Sequence, residues 1–319
     1  MLTAILVLAV CFVAFTNGAN ANFKGVASLY GSGTTTLRRA LLWGTATTCA
    51  GSLVAMFFAQ ELLKKFGGRG LVPDSLVESS TFVSAVALGA AFTSFLATRW
   101  GFPVSTTHAL VGALVGAGLA GSGSAVNFAA LNKNFLFPLL FSPAVAALLG
   151  ALTYKTLSLF RLAPPHRAPV LDALHFLSTG AASFARGLND TPKIVALLLV
   201  TSSYEPFWAF LAVAVLIAIG GLIDAEKVAE TLGKKVTDLN PGQGLAVSLT
   251  TAVLVATSSL QNYPVSTTHV SVGSLLGIGI TTGQAKWRKV AEILVAWITT
   301  VPCGALLAAI AYGILSRLS

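Results

Sequence analysis

Long apolar runs alternate with short polar connections along this chain. The runs cover residues 2–16, 40–59, 83–98, 135–157, 207–223, 244–256 and 293–315. A helix needs about 20 apolar residues to cross the hydrocarbon of a bilayer. Several runs are shorter, so partial, re-entrant segments are expected beside full spans. The alternating ten-residue pattern of a membrane barrel is absent from the sequence. The pattern predicts an all-α polytopic membrane protein.

Composition agrees: 55% of the 319 residues are hydrophobic and 10% charged, against about 25% charged in soluble domains, with a mean hydropathy of +0.81. The net charge of +9 is spread over short connections: Arg38 and Arg39, Lys64 and Lys65, residues 161–167, Lys234 and Lys235, and residues 286–289. That distribution suits loops obeying the positive-inside bias and excludes a nucleic-acid surface. Cys11, Cys49 and Cys303 are scattered through apolar segments, as packing residues are. The first run lacks a preceding basic segment and is read as the first membrane helix. The expected surroundings are a lipid bilayer, in a bacterial-type inner (plasma) membrane.

One hexapeptide occurs twice. Pro-Val-Ser-Thr-Thr-His stands at Pro103 to His108 and at Pro264 to His269, each after an aromatic residue and before a small-residue apolar run. A helix starting at Ser-Thr-Thr offers hydroxyls, free backbone N–H groups and the positive end of its dipole, a combination suited to an anion. One copy alone would read equally well as a capped helix start. Two copies point to internal duplication and to a transport site where the halves meet. The candidate substrate contacts are Ser105, Thr106, Thr107, Ser266, Thr267 and Thr268.

A second repeat supports the first. Residues 15–27 lie over residues 184–196 with Phe, Gly, Asn, Lys, Val and Ala coinciding in order, and each copy precedes its hexapeptide by about 80 residues. The expected organisation is two inverted-topology repeats, 1–160 and 168–319, joined by the Pro-rich basic hinge at 162–167. Each would contain a helix broken near Gly-x-Asn, a polar loop (61–78 and 224–243) and a re-entrant helical hairpin, the whole forming one transport domain.

Polar groups in hydrocarbon are costly and usually functional. Asn20 and Asn189 stand beside glycines where an unwound helix would free carbonyls for a hard cation such as Na+, and Asp190 adds a carboxylate. These three are the candidate coupling-ion residues. Lys24 and Lys193 follow their asparagines by four positions and are expected to direct ammonium groups to the same centre. His108 and His269 read as structural imidazoles, with a proton-carrying role left open. His166 and His175 have no repeat partner.

These paired segments resemble the inorganic phosphate transporter (PiT) family, relatives of the sodium-phosphate symporters, over essentially the whole chain. The resemblance implies an inverted-repeat fold, often dimeric, enclosing phosphate and coupling cations. The family's anion contacts would fall on the six Ser and Thr residues above, and its cation and substrate positions on Asn20, Ala21, Asn189 and Asp190. Two features depart from the pattern. Ala21 stands where the family usually has Asp, and Lys24 and Lys193 stand where many relatives have Asn; an ammonium there can stand in for sodium.

The expected function is a secondary symporter that moves inorganic phosphate with Na+ or H+ by alternating access, as a homodimer. It needs no cofactor, and no nucleophile–base set suggests an enzyme. Sulfate is the alternative substrate. It needs donors only, whereas hydrogen phosphate also needs an acceptor, which Asp190 can supply.

Overall fold

The computed structural model describes residues 1–58, 60–199 and 205–318. In the first half the helices are α1 (Leu2–Ala21), α2 (Ala27–Gly31), α3 (Leu37–Val54), α4 (Gln60–Phe66), α5 (Asp74–Val77), α6 (Ser80–Arg99), α7 (Thr106–Ser122), α8 (Phe128–Leu131) and α9 (Phe137–Leu159). The second half holds α10 (Pro169–Leu199), α11 (Pro206–Ile223), α12 (Glu226–Glu230), α13 (Pro241–Leu260), α14 (Thr267–Thr282) and α15 (Trp287–Leu315).

Seven helical stretches among the described residues are long and apolar enough to cross a membrane: Leu2–Ala21, Leu37–Phe57, Ser80–Arg99, Phe128–Leu159, Pro206–Ile223, Pro241–Leu260 and Trp287–Leu315. They match the seven apolar runs in order, except that Ala59, the last residue of the second run, lies outside the described residues. Leu8, Leu42, Phe92, Leu148, Val253, Ile298 and Leu306 all face outward, as side chains bathed in lipid do. Sequence signals set the ends. Ser79 caps α6, and Asn240 with Gln243 forms a reciprocal capping box at α13. Pro164 and Pro165 lie in the connection between α9 and α10. The connections read as polar loops fold locally, 61–78 as α4 and α5 and 224–243 as α12 followed by a π-helical turn, Thr231–Lys235.

The expected break near Gly-x-Asn occurs in one half only. The chain leaves α1 after Ala21, passes through turns at 22–26 and resumes as α2. By contrast, α10 runs unbroken for 31 residues, about 46 Å at 1.5 Å per residue. Local chemistry accounts for the difference. The first copy places Gly25, a weak helix former, where the second has Ile194. A Cβ on Gly25 would also collide with the Ser183 backbone of α10, so the turn and the neighbouring helix require each other. Pro192 costs α10 one backbone donor without ending it. Asn189 therefore sits in continuous helix, not beside unwound carbonyls.

Packing interlocks the two halves of the chain. Helix α7 lies against α15, and α14 against α9. At both crossings glycine lets backbones touch: a Cβ on Gly116 would run into the Ala305 carbonyl, and one on Gly277 into the Ala147 carbonyl. Each helix that starts with Ser-Thr-Thr is thus held by the last long helix of the opposite half. Helices α7 and α14 are buried along most of their length and fall outside the seven candidate spans.

Candidate functional site

Extended backbone at Ser105 (φ −89°, ψ 114°) and Ser266 (φ −93°, ψ 114°) turns the chain into α7 and α14. Each serine hydroxyl caps its helix, accepting from the backbone N–H of His108 (3.1 Å) and His269 (3.2 Å). The earlier first-turn N–H groups, on Thr106 and Thr107 and on Thr267 and Thr268, have no acceptor within their helices. All six residues are buried.

The two helix starts meet. Thr107 donates to the Val265 carbonyl (3.3 Å) in front of α14, and Thr268 donates to the Val104 carbonyl (2.8 Å) in front of α7. A lysine closes each contact into a triangle. Lys24 Nζ donates to the Val104 carbonyl (2.7 Å) and the Thr268 hydroxyl (2.5 Å). Lys193 Nζ donates to the Val265 carbonyl (2.9 Å) and the Thr107 hydroxyl (2.8 Å). Each lysine therefore joins a carbonyl of its own half to a hydroxyl of the other. Lys24 does so from the turn after α1 and Lys193 from unbroken helix, so equivalent contacts arise from different local backbones.

Asp190 lies beside this arrangement. Its Oδ1 accepts from Lys193 Nζ (3.1 Å) and Asn189 Nδ2 (3.1 Å). Its Oδ2 faces Thr267 Oγ1 (3.4 Å), Asn17 Nδ2 (3.5 Å) and Arg186 Nε (3.5 Å). Arg186, one helical turn before Asp190, also donates to the side-chain oxygens of Asn17 (2.5 Å) and Asn22 (3.1 Å). Asn17 passes the network on to the Thr106 hydroxyl (2.9 Å). Lys24, Arg186, Asp190 and Lys193 are 3%, 1%, 4% and 0% exposed. The centre thus carries three cations against one carboxylate, a formal +2.

The asparagines clamp backbone. Asn20 accepts from the Val104 N–H (3.0 Å) and donates to the Phe102 carbonyl (2.9 Å) and the Thr98 hydroxyl (3.0 Å), holding the extended segment before α7. Asn189 donates to the Val265 carbonyl (3.1 Å), while its buried Oδ1 has no hydrogen-bond partner. Ala21 is fully buried. The Asn20 oxygen and the Val104 and Val265 carbonyls receive N–H or ammonium donors.

The histidines pack beside the site. The His269 ring stacks on Trp297 at 4.0 Å between centroids and meets His108 edge-on at 4.6 Å. His269 Nδ1 bonds the Leu139 carbonyl (2.9 Å), and Trp297 Nε1 donates to the Pro103 carbonyl (2.9 Å), steadying the entry to α7. His175 lies elsewhere, against Ser28 (2.9 Å) and Thr34 (3.3 Å), tying α10 to the α2 region.

Sequence reasoning passed over Asn17, Asn22, Arg186 and Trp297. For Arg186 a signal was available: a permanent cation inside an apolar stretch, spaced i, i+4 from a carboxylate. Asn17 occupies the position equivalent to Arg186 in the other copy. Trp297 carries no polar motif, and only folding reveals it.

Fold and site together define a polytopic helical membrane protein organised round a buried, net-positive polar centre. The profile described as "Phosphate transporter family" matches residues 17–170 and 162–308, and the chain belongs to that family. It is similar to a "Probable low-affinity inorganic phosphate transporter" of Rhizobium meliloti, 29% identical over 96% of this chain and 94% of the relative. A protein of the same name in Bacillus subtilis is 28% identical over 100% of this chain and 98% of the relative. A solved structure titled "The sodium-dependent phosphate transporter" shares the fold, with a TM-score of 0.88 over all of both chains at 23% identity.

Proposed function

We propose that this protein carries inorganic phosphate across a bacterial plasma membrane by alternating access, with Ser105, Thr106, Thr107, Ser266, Thr267, Thr268, Lys24 and Lys193 forming the anion site. The observation that carries this reading is the pair of lysine–threonine–carbonyl triangles joining the two helix starts. Both ammonium groups, the orphan first-turn N–H groups and the dipole ends of α7 and α14 converge there, so an oxyanion can exchange its hydration shell for fixed donors. Asp190 is the acceptor for the O–H of hydrogen phosphate. Sulfate has no use for that acceptor, and none of the relatives reported above carries sulfate in its name.

The same reading takes α6–α7 and α13–α14 as two re-entrant hairpins in inverted halves, and the working unit as a homodimer. Asn20, Asn189 and Asp190, expected to hold the coupling ion, instead position the hairpins and the lysines. The ammonium groups stand in for Na+ at those carbonyls, so transport tolerates the absence of sodium. The test is uptake of labelled phosphate and sulfate into proteoliposomes loaded with phosphate. Phosphate should enter in sodium-free buffer and sulfate should compete weakly. Absence of phosphate flux, or preference for sulfate, refutes the proposal.

A further inference from the structure

We infer that a groove at the junction of the two halves binds one anionic phospholipid, with an acyl chain in the groove and the headgroup phosphate on Arg161; the inference is independent of what the protein carries. The groove has a volume of about 570 Å3 and lies between the connection after α9, the first turns of α10 and the first turns of α13. Leu162, Leu171, Leu174, Leu177, Leu245 and Leu249 line it, and Leu162, Leu174 and Leu177 are exposed. Its depth follows from its neighbours. The candidate span that includes α9 stops at Leu159, and the one formed by α13 starts at Pro241. The rim at Arg161 therefore sits where hydrocarbon gives way to headgroups. The walls are fixed before any ligand arrives. The Pro164 carbonyl accepts from the Gly242 N–H (3.2 Å), and a Cβ on Gly242 would collide with the Ala163 backbone, so the connection is clamped on the start of α13. The Ser178 and Ser248 hydroxyls, 2.6 Å apart, hold α10 against α13.

The backbone gives no reason for arginine at position 161. Helix α9 ends in a Schellman motif, in which the Leu162 N–H bonds the Leu157 carbonyl (2.7 Å) and the Arg161 N–H bonds the Ser158 carbonyl (3.0 Å). Arg161 fills the left-handed position of that motif, at φ 58°, which glycine adopts freely and side chains resist. Its guanidinium makes no hydrogen bond or ion pair among the described residues. Arg167, the other arginine of the connection, is spent on Asp172 through Nε (3.0 Å) and Nη2 (2.5 Å). Arg161 is the one charged residue among those lining the groove. An uncompensated cation above a leucine-lined groove complements a molecule with an anionic head and an apolar tail. A zwitterionic lipid would bring a cation of its own up to the guanidinium. A headgroup of net negative charge, such as phosphatidylglycerol, does not, and basic side chains at the membrane surface favour it.

The experiment follows the thermal midpoint of the full chain, purified in detergent and stripped of lipid, as phosphatidylglycerol or phosphatidylcholine with the same acyl chains is added. A ligand that binds the folded state raises the midpoint according to its affinity. Phosphatidylglycerol should raise it more than phosphatidylcholine at equal concentration. Arg161→Gly separates headgroup recognition from folding. Glycine suits the left-handed position, so the lipid-free midpoint should hold or rise. Affinity for phosphatidylglycerol should nevertheless fall about fivefold, the worth of one basic side chain beside an anionic headgroup, while affinity for phosphatidylcholine changes little. Leu174→Trp, which narrows the groove, should reduce the increment from both lipids. Equal increments from the two lipids in the parent overturn the inference. So does an Arg161→Gly variant that keeps the full phosphatidylglycerol increment, or a Leu174→Trp variant that keeps both. No increment from either lipid, the result expected if a second copy of the chain seals the groove, overturns it as well.

Discussion

Replacing Asp190 by Asn keeps the volume of the side chain and removes the one carboxylate that balances three buried cations. Its two oxygens serve different donors, Oδ1 facing Lys193 and Asn189 and Oδ2 facing Arg186, Asn17 and Thr267. Whichever way an amide is turned, its NH2 meets donors already in place, so one side of the network is lost and reversed. Breaking a buried ion pair from one side costs about 3–5 kcal/mol. At about 2 °C per kcal/mol for a large domain, that lowers the midpoint by roughly 6–10 °C. The assay is the fraction of detergent-solubilised protein that stays monodisperse after heating. Adding Lys193→Met removes one stranded cation and should restore part of the loss, a coupling that a double-mutant cycle reads directly. A single variant as stable as the parent, or a double variant showing simple additivity, refutes the charge-balance reasoning.

Changing Thr107 and Thr268 together to Val removes one acceptor from each lysine and one donor from each helix start. At about 1.5–3 kcal/mol per charged hydrogen bond, phosphate affinity should fall by an order of magnitude or more, and unchanged binding would show that these hydroxyls are not in the site. Ala21→Asp places a second carboxylate at the position equivalent to Asp190, lowering the formal charge of the centre. Phosphate affinity should drop in sodium-free buffer and recover with sodium or acid as the new carboxylate is neutralised; identical cation responses would place residue 21 away from the site. Gly277→Ala forces a methyl into the Ala147 carbonyl and should cost about 1–3 kcal/mol by overpacking, seen as loss of extractable folded protein, while full recovery would mean that α14 can move off α9.

Much of the fold is legible in sequence because hydrocarbon is an unforgiving solvent. Each span must supply its own apolar length, and six of the seven runs fall within long apolar helices while the second, 40–59, overlaps Leu37–Phe57. The site is legible where duplication marks it. Two copies of Ser-Thr-Thr and two lysines at matched positions declare themselves, and the structure brings all of them together. Duplication misleads where the copies have diverged locally: Gly25 against Ile194 decides whether a helix breaks, and matched spacing does not reveal it. Contacts such as Arg186 to Asn17 join residues 169 positions apart. They depend on which helices cross, which residues beyond the repeats determine.

The crossed packing of α7 on α15 and α14 on α9 also dictates an order of events during synthesis. Helix α7 is complete at Ser122, but the surface that receives it begins at Trp287. At about 5–20 residues per second, the ribosome takes roughly 8–33 s to make the intervening chain. Throughout that interval α7 lacks the surface it packs on, and α9 lacks α14 until residue 267 has been made. The centre can be assembled only as the last helix arrives. Truncation before α15 should therefore deprive α7, far from the cut, of its seat, and send the nascent chain to quality control instead of leaving a stable half-molecule.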